Sequence, residues 1–114
     1  MVGRSTRSLD SMRKSVPIDA VEVDAALGIL VRPRIPESEH YEHIYRTATG
    51  VRWQSQRRAL VAYEVKGMSP AWWFQQIVDA VASEYGQHLE LQPDTLWTNV
   101  PESERSEIEG KHAV

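Results

Sequence analysis

Between Ser69 and Gly86 the apolar positions recur at helical spacing, in the stretch SPAWWFQQIVDAVASEYG. Placed about 100° apart on a helix, Trp73, Phe74, Ile77, Val78, Val81 and Tyr85 fall within an arc of roughly 140°. Ser69 suits an N-cap, Pro70 the first helical position, and Gly86 the position just past the end. The pattern predicts an amphipathic helix over 69–85. Fully burying a large apolar side chain is worth about 1.5–3 kcal/mol, so the stripe supplies of order 10 kcal/mol before chain entropy is subtracted. One residue breaks the pattern. Trp72 points roughly 100° away from Trp73, onto the side that carries Gln75, Gln76, Asp79 and Ser83. Trp73 belongs to the core. Trp72 is either covered by a neighbouring loop or terminus, or exposed as an anchor for a partner subunit or a stacked ligand.

Upstream of that helix the period shortens to two. In RALVAYEV (58–65), Ala59, Val61, Tyr63 and Val65 share one face of a strand, and Leu60, Ala62 and Glu64 share the other, with Lys66-Gly67 ending it. The segment 37–53 fits two templates. As a helix, Tyr41, Ile44, Tyr45 and Ala48 form one face. As a strand, Tyr45, Thr47, Thr49, Val51 and Trp53 form one face, opposite Arg46, Ala48, Gly50 and Arg52. The β-branched and aromatic content favours a polar lead-in to about residue 42, then a strand from about 43 to 53. The polar QSQR (54–57) turns this strand into 58–65 as an antiparallel hairpin.

SVPIDAVEVDAALG (15–28) predicts a first helix: Ser15 caps it, Pro17 lies in the first turn, Ile18, Val21 and Ala25 recur at helical spacing, and Gly28 ends it. A strand through AVEV is the competing reading. ILV (29–31) begins a short strand, placed at an edge or ended early because Pro33 and Pro36 lack amide protons. LELQPDTLWTNV (89–100) is a strand or two broken by a Pro-Asp turn, positioned for a right-handed crossover onto 58–65. PESERSEIEGKHAV (101–114) has one apolar residue, Ile108, in its first ten, and reads as a short exposed helix or a frayed tail. The fold class that results is α+β: an antiparallel-dominated sheet of three to five strands with helix 69–85 packed on one face. The single domain spans 15–100, between a basic disordered tail (1–14) and the acidic segment 101–114.

Composition narrows the function classes. The 114 residues suit one domain with a real core. There are no cysteines, which excludes disulfides, thiolate nucleophiles and Cys-ligated metals, and fits a reducing compartment. No apolar run approaches the roughly 20 residues of a membrane span. The net charge of -3 conceals an asymmetry. Arg4, Arg7, Arg13 and Lys14 against Asp10 give residues 1–14 a charge of +3, so residues 15–114 carry -6. An acidic body argues against general nucleic-acid binding. The tail has no h-region and is not a secretory signal. Its Arg/Ser-rich composition is faintly transit-like, but a solvated terminus is the simpler account.

Three sets of residues could carry chemistry. His40 and His43 in EHYEH would share one side of a helix, but no third ligand follows at a recognised spacing, so no metal site and no cofactor is expected. Glu64, beside Tyr63 in an apolar strand, becomes a general acid or base if it points into a cleft. If it faces water or pairs with Arg46 or Arg52, it is a cross-strand ion pair. The same arginines, against Trp53 and Tyr45, could hold an anionic ligand. The segment RALVAYEVKGMSPAWWFQQIVDAVASEYG (58–86) resembles the strand-then-helix centre of small orphan proteins carried on integron gene cassettes. That resemblance implies a bacterial, cytoplasmic protein of compact α+β form, often oligomeric and without an assigned activity. It transfers no catalytic residue.

The expected function is a non-enzymatic binding or interaction module, homodimeric, with Trp72, Trp53 and Tyr45 as its contact surface and Arg46 and Arg52 beside them. The partners expected are a second copy and a small anionic or aromatic ligand. The alternative is a small cofactor-free enzyme acting on an anionic or polar metabolite. It would use Glu64 as acid or base, Tyr63 or His43 as helpers, and Arg46 or Arg52 for the anion. A third reading is a regulator acting through the basic tail.

Overall fold

The computed structural model describes residues 14–24, 28–62 and 68–112. Among them, five strands form one sheet: β1 (Lys14–Asp24), β2 (Gly28–Pro33), β3 (Val51–Gln54), β4 (Ala59–Ala62) and β5 (Gln87–Thr98), in the order β3-β4-β2-β1-β5. Three of the pairings are antiparallel, and β1 with β5 is parallel. Helix α1 (Pro70–Tyr85) joins β4 to β5, α2 (Glu102–His112) follows β5, and a 3-10 turn spans Ile44–Arg46. This is the α+β architecture the sequence predicts. No helix among the described residues is long and apolar enough to cross a membrane. The basic tail through Arg13 and the stretch 63–67, with Tyr63 and Glu64, lie outside the described residues.

The register puts Trp53, Leu60, Val31, Val21 and Trp97 side by side across all five strands. Next to this row run Val51, Ala62, Ile29 and Val23. The stripe of α1 packs on these rows, with Trp73, Phe74, Ile77, Val78 and Val81 buried in one core. Leu30, Ala59 and Val61 form a smaller buried cluster, alternating with the core-facing residues of β2 and β4 and so on the reverse face. The central row ends in a tryptophan at both sheet edges, and an arginine lies over each ring: Arg58 at 5.6 Å from Trp53 and Arg105 at 5.0 Å from Trp97.

α1 begins and ends where its local signals place it. The Ser69 hydroxyl accepts from the Trp72 N–H at 3.2 Å, and Gly86 takes φ +65° as its C-cap. A long-range contact completes the first turn: the Glu104 carboxylate on α2 accepts from the Ala71 N–H at 3.1 Å.

Elsewhere the structure corrects the sequence reading. The segment 15–28 is not a helix; Lys14–Asp24 is strand β1. The cause is a bulge at Asp19. Ile18 pairs with Pro33 but Ala20 with Arg32, so β1 advances two residues while β2 advances one. The bulge shifts the alternation, so that Val16 and Ile18 before it and Val21 after it all face the core. The odd step from 18 to 21 mimics helical spacing. The strand expected over 43–53 is confined to Val51–Gln54. Tyr41 and Ile44 are instead buried side by side with the core, the 3-10 turn carries the chain past α1, and Gly50 at φ +92° redirects it into β3. The hairpin of β3 and β4 does form, through residues 55–58.

β2 is not an edge strand but lies between β1 and β4, with Pro33 accommodated at its end, opposite the bulge. The segment after α1 forms a single strand, the simpler of the two forms expected, but its neighbour is β1 rather than β4. From Ile18 to Ala20, β1 advances two residues while β5 advances five, from Leu91 to Leu96. The Pro-Asp pair thus loops out within β5. The Thr95 hydroxyl stitches this loop, donating to the Ile18 carbonyl at 2.6 Å and accepting from the Gln92 N–H at 2.8 Å. Finally, α2 is more than an exposed helix, because Ile108 is 1% exposed and joins the core.

Candidate functional site

The row Val23–Ile29–Ala62 lies at the end of the sheet where α1 begins. There Val23, Asp24, Gly28, Ile29, Ala62, Met68, Pro70 and Trp73 surround a partly open pocket of about 210 Å³. Its walls are aliphatic and aromatic. Asp24 is the ionisable residue among the described lining residues. The elements dictate this composition: Val23 and Ile29 face the core side of the sheet as β1 and β2 approach their connection, while Ala62, at the end of β4, is too small to fill the space.

The two indoles of α1 divide as the periodicity predicts. Trp73 is 7% exposed and forms part of the pocket wall; Trp72 is 39% exposed and meets Trp73 edge-on at 4.9 Å. The Trp73 Nε1–H is buried and has no hydrogen-bond partner among the described residues. An unpaired buried donor of this kind costs about 1–3 kcal/mol. Met68, also exposed, lies at the same end.

The other predicted binding residues collect elsewhere. Trp53 is half-buried, stacked edge-on with Tyr41 at 5.4 Å beneath Arg58. Tyr41 in turn meets Tyr85 edge-on at 5.0 Å, and its hydroxyl donates to Gln87 Oε1 at 2.5 Å. Burial raises the Tyr41 proton affinity above the ordinary tyrosine value, with the Glu39 charge and Tyr85 adding to it. Tyr45 is exposed beside His43, their ring centroids 6.3 Å apart, and the His43 N–H donates to the Tyr85 hydroxyl at 3.0 Å. This aromatic group sits at the C-terminal end of α1, where Thr47 donates to Glu84 at 2.5 Å. Trp72 and Tyr85 are thirteen residues apart on α1, which is about 20 Å at 1.5 Å per residue. The structure therefore does not gather Trp72, Trp53 and Tyr45 into one surface. Arg46 and Arg52 are both exposed, and Arg52 stands opposite Val61 in the β3–β4 register.

His40 and His43 each approach the Glu42 carboxylate, at 3.6 and 4.0 Å. Among the described residues no group of three or more His, Asp or Glu side chains converges as metal ligands would. The pocket-wall role of Val23, Ile29 and Ala62 was not visible in the sequence, because the partners that bring them together are up to about forty residues apart. The pairing of Trp97 with Arg105 escaped it for a related reason: it needs the turn between β5 and α2.

The sequence model of the integron cassette protein family Hfx_Cass5 matches residues 18–95. That span includes the pocket lining and both α1 indoles. A solved structure from the mobile metagenome of the North West Arm sewage outfall, the integron cassette protein Hfx_Cass5, is 37% identical to this chain. The match covers 89% of this chain and 98% of that one, with a TM-score of 0.40. No curated protein matches. With more than half of its length matched by the family model, the chain belongs to the Hfx_Cass5 family of integron cassette proteins.

Proposed function

We propose that this protein is a binding module whose recognition end is the start of α1, and that it works as a homodimer. One observation carries the reading: adjacent indoles in a single helical turn, one forming a pocket wall and the other exposed beside it. A helix stabilised only by its buried stripe has no use for Trp72 on its polar side. A tryptophan left in water is an anchor for something that covers it. In a two-fold dimer each Trp72 meets the partner surface and doubles its buried area. The test is sedimentation velocity at high micromolar concentration. The wild type should sediment as a dimer, and Trp72→Ala should move it toward the monomer with its helical circular dichroism unchanged. A wild type that stays monomeric removes the dimer.

A second reading, a small enzyme, is favoured by one point of connectivity. Ala62 and Met68 both line the pocket, and the stretch that joins them carries Tyr63 and Glu64. In that reading Glu64 is the acid or base, and Glu64→Gln abolishes turnover of a pocket ligand while leaving its affinity intact. Turnover unaffected by this substitution removes Glu64 from the chemistry.

A further inference from the structure

We propose that the face of the sheet turned away from α1 binds a diphosphate group, held between Arg32 and Arg52. This face is separate from the recognition end at the start of α1.

The strand register puts both arginines on that face. Trp53 packs against the core, so its neighbour Arg52 points to the reverse side. There it stands opposite Val61, which in turn stands opposite Leu30. One step further along the β2–β4 register places Arg32 beside Ala59. Leu30, Ala59 and Val61 are the buried cluster of this face. Arg52 and Arg32 therefore flank one aliphatic patch. They are two strands and two residues apart, about 12 Å between α-carbons. Long arginine side chains close that span toward a shared ligand.

These arginines lack the partners that the chain supplies elsewhere. Acidic residues outnumber basic ones, 16 to 13. Arg34 approaches both Asp19 and Asp94, and Lys14, Arg105 and Lys111 approach one glutamate each. Arg32, Arg52 and Arg57 are exposed, and no carboxylate among the described residues pairs with any of them. Arg32 Nε donates to the Arg57 carbonyl at 3.3 Å. That contact holds Arg32 against the β3–β4 turn and leaves its four other N–H donors uncommitted. Glu22 shares the face, beyond Leu30 on β1, but pairs with none of the three.

Three uncompensated guanidiniums beside an aliphatic patch make a local positive field on an otherwise acidic molecule. The low-dielectric patch between them limits its screening. A guanidinium fork matches phosphate oxygens in pairs. A single phosphate draws both cations onto one centre, against their mutual repulsion. Two linked phosphates, at about −1.5 each near pH 7, give each fork its own oxygens and balance the charge of all three arginines. Lysine supplies the charge without the fork.

The test titrates the full chain, labelled with nitrogen-15, with inorganic pyrophosphate and with orthophosphate at low ionic strength, where exposed charges are screened least. Pyrophosphate should shift the backbone signals of Leu30, Arg32, Arg52 and Val61 saturably, with a dissociation constant on the order of 0.1–1 mM. Orthophosphate should bind about tenfold more weakly. Arg32→Gln and Arg52→Gln should each weaken pyrophosphate about fivefold, and Arg52→Lys should fall between Arg52→Gln and the wild type. Lys111→Gln removes the same charge from α2 and should change the affinity by less than about twofold. ADP separates the free anion from a nucleotide that carries the group. Binding tighter than pyrophosphate identifies a nucleotide ligand, equal or weaker binding identifies the inorganic anion, and either result upholds the site. Shifts confined to other surfaces, or none at all, overturn it. So does orthophosphate binding as tightly as pyrophosphate, or an affinity that Arg32→Gln and Arg52→Gln lower no further than Lys111→Gln does.

Discussion

Thr95 shows how much of this fold hangs on single polar atoms. Its hydroxyl is the buried link across the β5 bulge, donating to Ile18 and accepting from Gln92. Thr95→Val keeps the shape and leaves a buried carbonyl and an N–H without this partner. We expect a loss of about 1–3 kcal/mol, read as a lower urea midpoint with unchanged slope. Arg34 supports the same bulge from the surface, with Nε 2.7 Å from the Asp19 carboxylate, which raises the guanidinium's proton affinity. Because that pair is solvent-exposed, its removal should matter far less. Tyr41 gives a pH-dependent prediction. Its folded-state proton affinity lies above the ordinary value of 10.0, mainly through burial. The folded protein holds the proton where the unfolded chain has released it. Its stabilising contribution is therefore complete below about pH 10 and is lost as the pH rises beyond it. The urea midpoint of the wild type should fall more steeply between about pH 9 and 11 than that of Tyr41→Phe. Neither Thr95 nor Tyr41 announced its role in the sequence, because each depends on a partner more than forty positions away, Ile18 for Thr95 and Gln87 with Tyr85 for Tyr41.

Among the elements, α1 was the most legible and β1 the least. α1 carries its own instructions: Ser69 and Pro70 start it, the stripe has the helical period, and Gly86 supplies the left-handed end. What the sequence did not show is that α2 helps to cap it. Glu104→Ala should cost about 0.5–2 kcal/mol, in the range of an N-cap loss, although it lies on a different helix from the N–H it serves. Thermal unfolding followed by circular dichroism measures this, and Glu104→Gln should recover part of the loss. Gly86→Ala forces a Cβ into φ +65°, with nothing near it to clash, so the cost is backbone strain alone, about 1 kcal/mol. β1 was misread because a strand that changes phase at a bulge does not display period two along its whole length. Pairing with β2 on one side and β5 on the other overrode the helix signals at Ser15 and Pro17.

At the scale of the molecule, the sheet is finished by parts that the sequence placed outside the domain. α2 closes the core through Ile108 and lays Arg105 over Trp97 at one sheet edge, while Arg58 covers Trp53 at the other. Ile108→Ala should cost about 2–5 kcal/mol, as for other large-to-small core changes. The paired charges on α2, Arg105 with Glu109 and Lys111 with Glu107, are exposed. Neutralising Lys111 and Glu107 should change stability by no more than about 0.5 kcal/mol. Denaturant titration of these variants separates the two roles of the helix. The same global arrangement divides the predicted contact surface, with Trp72 at one end of α1 and Trp53 and Tyr45 at the other.

By itself the sequence determined the features that depend on neighbours a few positions apart. These are the α1 helix with its caps, which of its two indoles is buried, the β3–β4 hairpin, and the α+β class that follows from one strong amphipathic helix beside short apolar strands. Only the tertiary structure decided the strand order, the parallel pairing of β1 with β5, the bulge at Asp19, and the pocket at the start of α1. Helix caps and hydrophobic periods act through bonds and contacts within a turn or two, so they are written in local spacing. Strand partners and pocket walls are chosen by competition among distant segments for the same buried face, and the outcome of that competition is set by how the whole core packs.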